Sequence, residues 1–154
     1  MAVYFFDSSA IVKRYVRETG TPWVIGRITP MAGHSIYVAR ITGVEVVAAI
    51  ARQGRGGGIS AADAATAIGQ FRYDFANQYH VIEITAGLVG SAMTLAEAHA
   101  LRGYDAIQLA AALAVNTQSR AIGMAEVTLI SSDAALNHVA VLEGLTVDNP
   151  NTHA

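Results

Sequence analysis

The sequence predicts an α/β domain in which a mainly parallel sheet of four to five strands lies between two layers of helices. Short apolar runs rich in Val, Ile, Tyr and Phe alternate along the chain with longer segments of helical periodicity, and this alternation is typical of a parallel sheet. Hydrophobic residues make up 53% of the 154 residues and charged residues 14%, which is enough apolar material for one sizeable core. We expect a single domain over residues 1–150 and a short tail over residues 151–154.

Five segments are predicted strands, because β-branched and aromatic residues dominate them. In chain order they are residues 3–6, 35–39, 79–84, 126–131 and 145–147. The first, VYFF, is followed at once by Asp7. An unpaired charge is costly inside a core, so Asp7 either has local partners or stands at a surface where a carboxylate is used.

The segments between these strands carry the helical spacing of apolar residues. Ser60 and Asp63 have the spacing of a capping box with Asp in place of Glu, which predicts a helix start, and Gly103 is expected to end a helix. The glycine-rich segment 54–58 joins two helices and is expected to be a loop within the domain. The predicted helices span residues 8–18, 22–28, 41–53, 60–77, 85–103, 104–117 and 133–144.

The charge and cysteine content exclude several classes of function. The net charge is −2 and the pI about 6.2. Any contact with nucleic acid therefore depends on a metal ion or a few arginines rather than on overall positive charge. The chain has no cysteine, which excludes disulfides and thiolate metal sites and fits a reducing cytoplasm. The N-terminus lacks the pattern of a signal peptide, and the longest apolar segment, 106–115, is too short to cross a bilayer. We expect a cytoplasmic protein without a membrane partner.

Four acidic residues are candidates for one functional site. In an open parallel sheet, ligands bind beyond the carboxyl ends of the strands, and Asp7 and Asp133 follow the first and fourth predicted strands at that rim. Glu45 lies in the first turns of the helix after the second strand, and Asp105 opens the helix YDAIQLAAAL. Each of the four is placed where it can face the same rim.

Each acid also has a purely structural interpretation. Asp7 can bind nearby backbone amides, and Asp105 and Asp133 can cap helices or stabilise a first turn through the helix dipole. Asp63 has the same local signature and is expected to be a cap only. Glu45 is harder to explain in this way, because it lies among three valines with no obvious solvent-facing position.

The joint interpretation is a site for a hard divalent cation. Three or four carboxylates on one rim repel each other, and without a counter-charge some of them stay protonated. Mg²⁺ prefers oxygen ligands and keeps several waters, which leaves room for phosphate oxygens. A soft metal is not expected, since the chain has no cysteine and no paired histidine motif. Such a site suits metal-assisted hydrolysis of a phosphodiester bond.

Four segments together resemble the PIN-domain ribonucleases, of the kind found as VapC toxins of type II toxin–antitoxin pairs. They are VYFFDSSAIVKRYVRETGT, ITGVEVVAAI, LRGYDAIQLAAAL and LISSDAALNHVAVLEGLTVDNP. The first resembles the opening strand, aspartate and Ser/Thr pair of the family, the second its glutamate helix, and the third its third-acid helix. The last resembles the closing strand with the fourth acid. The order and spacing of the four segments carry the likeness, which spans essentially the whole chain.

The resemblance implies a PIN-like three-layer α/β/α sandwich and an endoribonuclease that depends on Mg²⁺ or Mn²⁺. Its target would be a structured or translation-related RNA, and its partners a second copy of the chain and a small antitoxin that blocks the site. The resemblance assigns both catalysis and metal binding to four residues, Asp7, Glu45, Asp105 and Asp133.

Three further residues are placed near this site. By resemblance, Ser9 and Ser131 hold small hydroxyl positions, where they are expected to hydrogen-bond a carboxylate or a metal-bound water; helix capping and a strand-end turn are their alternatives. Arg102 is a candidate RNA contact, and its alternative is a cation at a helix C-terminus. The five histidines show no ligand spacing and are given no catalytic role.

Two other functions remain open at this point. A non-catalytic PIN-like module that binds RNA or protein would keep the same acids for folding or partner contacts. A phosphatase of the aspartyl-phosphate type usually carries a second acid two residues after its nucleophile, and here that position is Ser9.

Overall fold

The computed structural model describes all 154 residues, and its central element is a five-stranded sheet in which every neighbouring pair of strands is parallel. The strands lie in the order β3–β2–β1–β4–β5. They are β1 (Val3–Phe6), β2 (Ser35–Ala39), β3 (His80–Ile82), β4 (Val127–Ile130) and β5 (Thr146–Asp148). The predicted fold class is confirmed, with five strands and no antiparallel pair.

Seven α-helices connect or follow these strands. They are α1 (Ser8–Ile11), α2 (Thr21–Ile28), α3 (Arg40–Arg55), α4 (Ala61–Asn77), α5 (Ala86–His99), α6 (Gly103–Ala121) and α7 (Ala134–Leu142). Short 3₁₀ helices cover Val12–Arg14, Pro30–Ala32 and Pro150–Thr152. No helix is both long and apolar enough to cross a membrane.

The helices form a layer on each face of the sheet, because successive strand residues point to opposite faces. Phe5 and Leu129 belong to a cluster of 18 buried residues that includes side chains of α5, α6 and α7. Phe6 and Ile130 belong to a second cluster, of 15 residues, that includes side chains of α1, α2, α3 and α4. The two clusters give the three layers of the sandwich.

The chain reverses its direction across the sheet between β1 and β4. It moves from β1 outward to β2 and β3, and then crosses to β4 on the other side of β1. Connections that diverge in this way leave a crevice at the carboxyl ends of the two strands. Phe6 pairs with Ile130, and the amide of Asp7 donates to the carbonyl oxygen of Ile130 at 3.1 Å. Asp7 is therefore fixed at the mouth of this crevice.

Two helix predictions are wrong in their bounds. The predicted helix 8–18 is only four residues of α-helix, followed by one 3₁₀ turn. The predicted helix 85–103 ends at His99, where Ala100 adopts a left-handed conformation with φ 53°. Gly103 does not close that helix but is the first residue of α6.

The C-terminal residues pack against the domain. Pro150–Thr152 form a 3₁₀ turn at the start of the expected tail, residues 151–154. The ring of His153 stacks on Trp23 with ring centroids 4.4 Å apart.

Candidate active site

Asp7 is buried at the carboxyl end of β1 and caps α1. Its Oδ1 atom accepts hydrogen bonds from Ser9 Oγ at 2.7 Å and from the amide of Ala10 at 3.0 Å, and its Oδ2 atom accepts one from Ser131 Oγ at 2.6 Å. Burial raises the pKa of Asp7 from 3.8 to about 6, although these hydrogen bonds lower it. The carboxylate is thus fully oriented, but its negative charge is poorly solvated.

Serine hydroxyls join Asp7 to Asp133. Ser131 Oγ, which donates to Asp7, also accepts a hydrogen bond from the amide of Asp133 at 3.0 Å. Ser9 Oγ, which donates to the other oxygen of Asp7, accepts from the amide of Ser132 at 3.0 Å. These bonds join the turn after β1 to the turn after β4 and so hold the two strand ends together.

Glu45 is held by a second polar group, which enters from α1 and α6. Its Oε1 atom accepts from Ser8 Oγ at 2.7 Å and from Gln108 Nε2 at 3.1 Å. Gln108 Nε2 also donates to Thr42 Oγ1 at 2.9 Å. Gln108 is 3% exposed, and its Oε1 atom has no hydrogen-bond partner. Ser8, Thr42 and Gln108 were not predicted as partners of Glu45, although Gln108 was detectable as the one polar residue inside the apolar segment 106–115.

Arg102 lies over the two remaining acids. It precedes the first residue of α6, so it is not the helix C-terminal cation of the alternative interpretation. Its Nε atom lies 3.4 Å from Asp105 and its Nη2 atom 3.4 Å from Asp133. The Arg102 side chain is 82% exposed, whereas those of Asp105 and Asp133 are 19% and 23% exposed. Asp133 also caps α7, through a hydrogen bond from the amide of Leu136 at 3.1 Å.

The four acids lie close enough to interact electrostatically. Burial chiefly raises the pKa of Asp7, and the charge of Asp133 adds to this effect. Burial, Asp133 and Glu45 raise the pKa of Asp105, while Arg102 lowers it. The crevice therefore concentrates negative charge that Arg102 offsets only in part.

The chemical type of the available ligands suits a hard cation, because they are carboxylates and hydroxyls with an excess of negative charge. The spacing is not that of a closed site: nowhere do three acidic or histidine side chains come together in a group able to hold a metal ion. In this arrangement hydrogen bonds from serines, Gln108 and Arg102 occupy the carboxylates. A bound cation would have to draw the acids closer than they lie here.

Two curated relatives are similar to this sequence. Ribonuclease VapC45 of Mycobacterium tuberculosis (strain CDC 1551 / Oshkosh) and Ribonuclease VapC49 of Mycobacterium tuberculosis (strain ATCC 25618 / H37Rv) are each 36% identical to it over 115 residues. The match covers 75% of this chain and 78% of each relative. No family model matches the sequence.

Solved structures share the fold at low sequence identity. PAE2754 from Pyrobaculum aerophilum superimposes with a TM-score of 0.65 at 15% identity, covering 99% of this chain and 86% of that one. VapBC2 from Rickettsia felis, bound to a DNA fragment from its promoter, gives 0.61 at 13% identity, covering 96% of this chain and 98% of that one. The two sequence relatives show the family, and the solved structures agree with it in fold. The chain belongs to the VapC-like family of PIN-domain ribonucleases.

Proposed function

We propose that this protein is an endoribonuclease that hydrolyses RNA phosphodiester bonds with a divalent cation, Mg²⁺ or Mn²⁺, held among Asp7, Glu45, Asp105 and Asp133. One observation carries the proposal. Acids from four separate segments of the chain lie at or beside the crevice between β1 and β4, where burial above all, and the charge of neighbouring acids to a lesser extent, raises the pKa of Asp7 and Asp105. Carboxylates crowded in this way are unfavourable unless a cation neutralises them.

The chain's own residues would orient this site. Ser9 and Ser131 hold both oxygens of Asp7, and Ser8 and Gln108 hold Glu45. Groups fixed in this way lose little conformational freedom when they bind a ligand, which favours a productive geometry. When bound, Mg²⁺ or Mn²⁺ supplies the charge that activates water and stabilises a phosphodiester transition state.

The biological role we propose is that of a toxin in a toxin–antitoxin pair. The support is the family, whose named members include VapC ribonucleases and whose fold relatives include a VapBC complex. In this role the chain acts in the cytoplasm on a translation-related RNA and inhibits translation. It forms a homodimer, and a small antitoxin protein blocks its site.

A cleavage assay tests the nuclease activity. Wild type, Asp7→Asn and Asp105→Asn are incubated with total cellular RNA in EDTA, Mg²⁺ or Mn²⁺, and new RNA ends are sequenced. We expect site-specific ends with wild type and either metal, a loss of about 100-fold or more in both variants, and none in EDTA. Asp63→Asn is the matched control, because Asp63 lies in the first turn of α4 beside its cap Ser60, outside the crevice. Equal cleavage by all four proteins would refute the proposal.

Expression tests the toxin role separately. Induction of the wild-type chain alone should arrest growth, and Asp7→Asn should relieve the arrest. Arrest that persists in the Asp7→Asn strain would count against a toxin that acts by cleavage.

A non-catalytic binding module remains the second candidate. The observation in its favour is that Arg102 already pairs with two of the four acids and that no three acids form a metal-binding group. RNA binding without cleavage in Mg²⁺ or Mn²⁺ would support this candidate.

A further inference from the structure

The segment Asp148–His153 folds back against α2. The ring of His153 stacks on Trp23 with the two ring planes within 4° of parallel. The guanidinium carbon of Arg27, one turn further along α2, lies 4.8 Å from the centre of the same tryptophan ring. Stacking and cation–π contacts of this kind hold two segments of a chain together. We call Asp148–His153 the closing segment.

The backbone of the closing segment also packs closely on Gly20, which precedes α2. Gly20 has φ 88°, a left-handed conformation that favours glycine. A Cβ atom at this position would collide with the carbonyl oxygen of Pro150, which is a buried residue. The contact between α2 and the closing segment therefore depends on a residue without a side chain at position 20.

α2 belongs to the β1 side of the crevice. It follows α1 and the 3₁₀ turn Val12–Arg14, and polar contacts hold the loop that precedes it. The ammonium group of Lys13, a residue only 4% exposed, lies 3.0 Å from the carboxylate of Glu18. The amide of Glu18 in turn donates to Thr21 Oγ1 at 2.9 Å. These contacts hold α2 to the segment that carries Ser9.

Asp148 belongs to the β4 side of the crevice. It is the last residue of β5 and pairs with Ile130 of β4. Its carbonyl oxygen accepts a hydrogen bond from the amide of Ser131 at 3.2 Å, and its Oδ1 atom lies 2.8 Å from His153 Nε2. A single residue therefore links His153 to Ser131, which donates to Asp7.

We propose that His153 is a positioning residue for the acidic site, which acts by holding the two sides of the crevice at a fixed separation. Its ring contacts Trp23 on the β1 side and Asp148 on the β4 side. The inference rests on the proposed function and concerns the support of the acids rather than their chemistry.

Asp7 is the acid that needs this support. Its two carboxylate oxygens are bound from different sides, by Ser9 on the β1 side and by Ser131 on the β4 side. If the two sides move apart, one of these hydrogen bonds lengthens and the carboxylate turns. A displacement of about 1 Å at a reacting group costs a large factor in rate. His153 thus affects the rate without touching the substrate.

Packing alone is the competing interpretation, and one substitution separates it from positioning. His153→Phe keeps a ring to stack on Trp23 but loses the hydrogen bond to Asp148. If His153 only packs, this variant equals wild type in both stability and rate. If His153 positions the site, His153→Phe keeps the stability that His153→Ala loses but not the rate.

Steady-state kinetics with an RNA that wild type cleaves in Mn²⁺ provides the first measurement. We expect kcat to fall about fivefold in His153→Phe and in Asp148→Ala, with KM within about twofold of wild type. The double variant should be no slower than either single variant, because both substitutions remove the same hydrogen bond. The melting temperature should fall by about 2–4 °C in His153→Ala and stay near that of wild type in His153→Phe.

Amide hydrogen exchange provides a second measurement that needs neither RNA nor metal. In EDTA, the amide of Ser131 should exchange about fivefold faster in His153→Phe than in wild type. The amide of Tyr79, which donates to Asp74 and precedes the opposite edge strand β3, should exchange at the wild-type rate. Unchanged exchange of Ser131, or a kcat of His153→Phe equal to that of wild type, would overturn the inference.

His80→Phe is the matched control variant. His80 also stacks on an aromatic ring, that of Tyr37, with centroids 4.8 Å apart, but it lies on β3, at the opposite edge of the sheet from β5. It should match wild type in kcat and in the exchange of Ser131, and an equal loss in His80→Phe would also overturn the inference. If wild type cleaves no RNA but Ser131 exchanges faster in His153→Phe, the proposed function is refuted and the link from His153 to the crevice stands.

Discussion

The guanidinium group of Arg102 lies 3.4 Å from the carboxylate of Asp133, although the two residues are 31 positions apart in the sequence. The same group lies 3.4 Å from Asp105. Since 82% of the Arg102 side chain is exposed, such pairs contribute only about 0–1 kcal/mol. Arg102 is therefore a weakly held positive charge, at the place where we propose that a divalent cation binds.

Removal of Arg102 should strengthen metal binding. In Arg102→Ala the two aspartates lose their internal counterion, and an incoming Mn²⁺ no longer competes with a guanidinium or is repelled by it. We expect weak binding of Mg²⁺ and Mn²⁺ to the free wild-type protein and an affinity for Mn²⁺ about three- to tenfold higher in the variant, corresponding to about 1 kcal/mol. Isothermal titration calorimetry without RNA measures both.

The control for this prediction is Arg120→Ala. Arg120 lies in the last turn of α6, about 27 Å from Arg102 along the same helix, so its loss changes the net charge equally but leaves the crevice alone. Wild-type or weaker Mn²⁺ affinity in Arg102→Ala, or an equal gain in Arg120→Ala, would contradict the role given to Arg102.

Metal-free protein should lose stability through Asp7 as the pH rises. Burial raises the pKa of Asp7 from 3.8 to about 6, so the folded state favours the protonated carboxyl. This contribution is fully present below about pH 4 and is lost as the pH rises through 6. In EDTA, the free energy of unfolding of wild type relative to Asp7→Asn should fall by about 2 kcal/mol between pH 4 and pH 7.

Urea unfolding at several pH values measures this difference. A constant offset between the two proteins, from hydrogen bonds that asparagine cannot make, does not change with pH and so does not disturb the comparison. Parallel stability curves from pH 4 to pH 7 would show that folding does not raise the pKa of Asp7.

The sequence was sufficient to predict the sheet and the rim on which Asp7 and Asp133 lie. Both residues follow buried apolar strands, and parallel strands place their carboxyl ends on one edge, so local patterns fixed their position. The partners of Glu45 were not predictable in this way. Gln108 is 63 residues away from it along the chain, and helix periodicity says which face a residue occupies but not which distant carboxylate it meets.

The predicted boundary between α5 and α6 was wrong for a different reason. Gly103 was expected at the helix end because glycine usually supplies the left-handed residue after a helix. In the structure Ala100 adopts that conformation, with φ 53°, which alanine rarely does. The preference for glycine therefore placed the end of α5 four residues too late. It also placed Arg102 at the C-terminus of α5, whereas Arg102 directly precedes α6.

Ser131→Ala should shift the titration of Asp7 as well as destabilise the protein. Ser131 is fully buried and donates to Asp7 at 2.6 Å, and this bond lowers the pKa of that carboxyl. Its loss costs about 1–3 kcal/mol and moves the pH at which wild type loses stability to a higher value. Ser119 donates an equally short bond, 2.6 Å, to the carbonyl oxygen of Ala125 at the far end of α6.

Ser119→Ala is thus a matched control for the loss of a hydroxyl. It should lower the free energy of unfolding by about 1–2 kcal/mol without changing the pH dependence or the rate of RNA cleavage. The same pH midpoint in Ser131→Ala and wild type would show that Ser131 only packs and does not tune Asp7.

Gln108→Leu should separate activity from stability. Leucine has a similar size, and the substitution removes the hydrogen bonds that Gln108 donates to Glu45, Thr42 and Ser8 together with the buried Oε1 atom that has no partner. These two effects oppose each other, so the free energy of unfolding should change by about 1 kcal/mol or less. Cleavage should fall at least about tenfold, because Glu45 keeps only Ser8 as its partner and is less well oriented.

Gln118→Leu, the same change at an exposed position on α6, should leave cleavage unchanged. A fully active Gln108→Leu protein would mean that Glu45 needs no support from α6, and a protein destabilised by more than about 3 kcal/mol would mean that Gln108 serves the fold rather than the site.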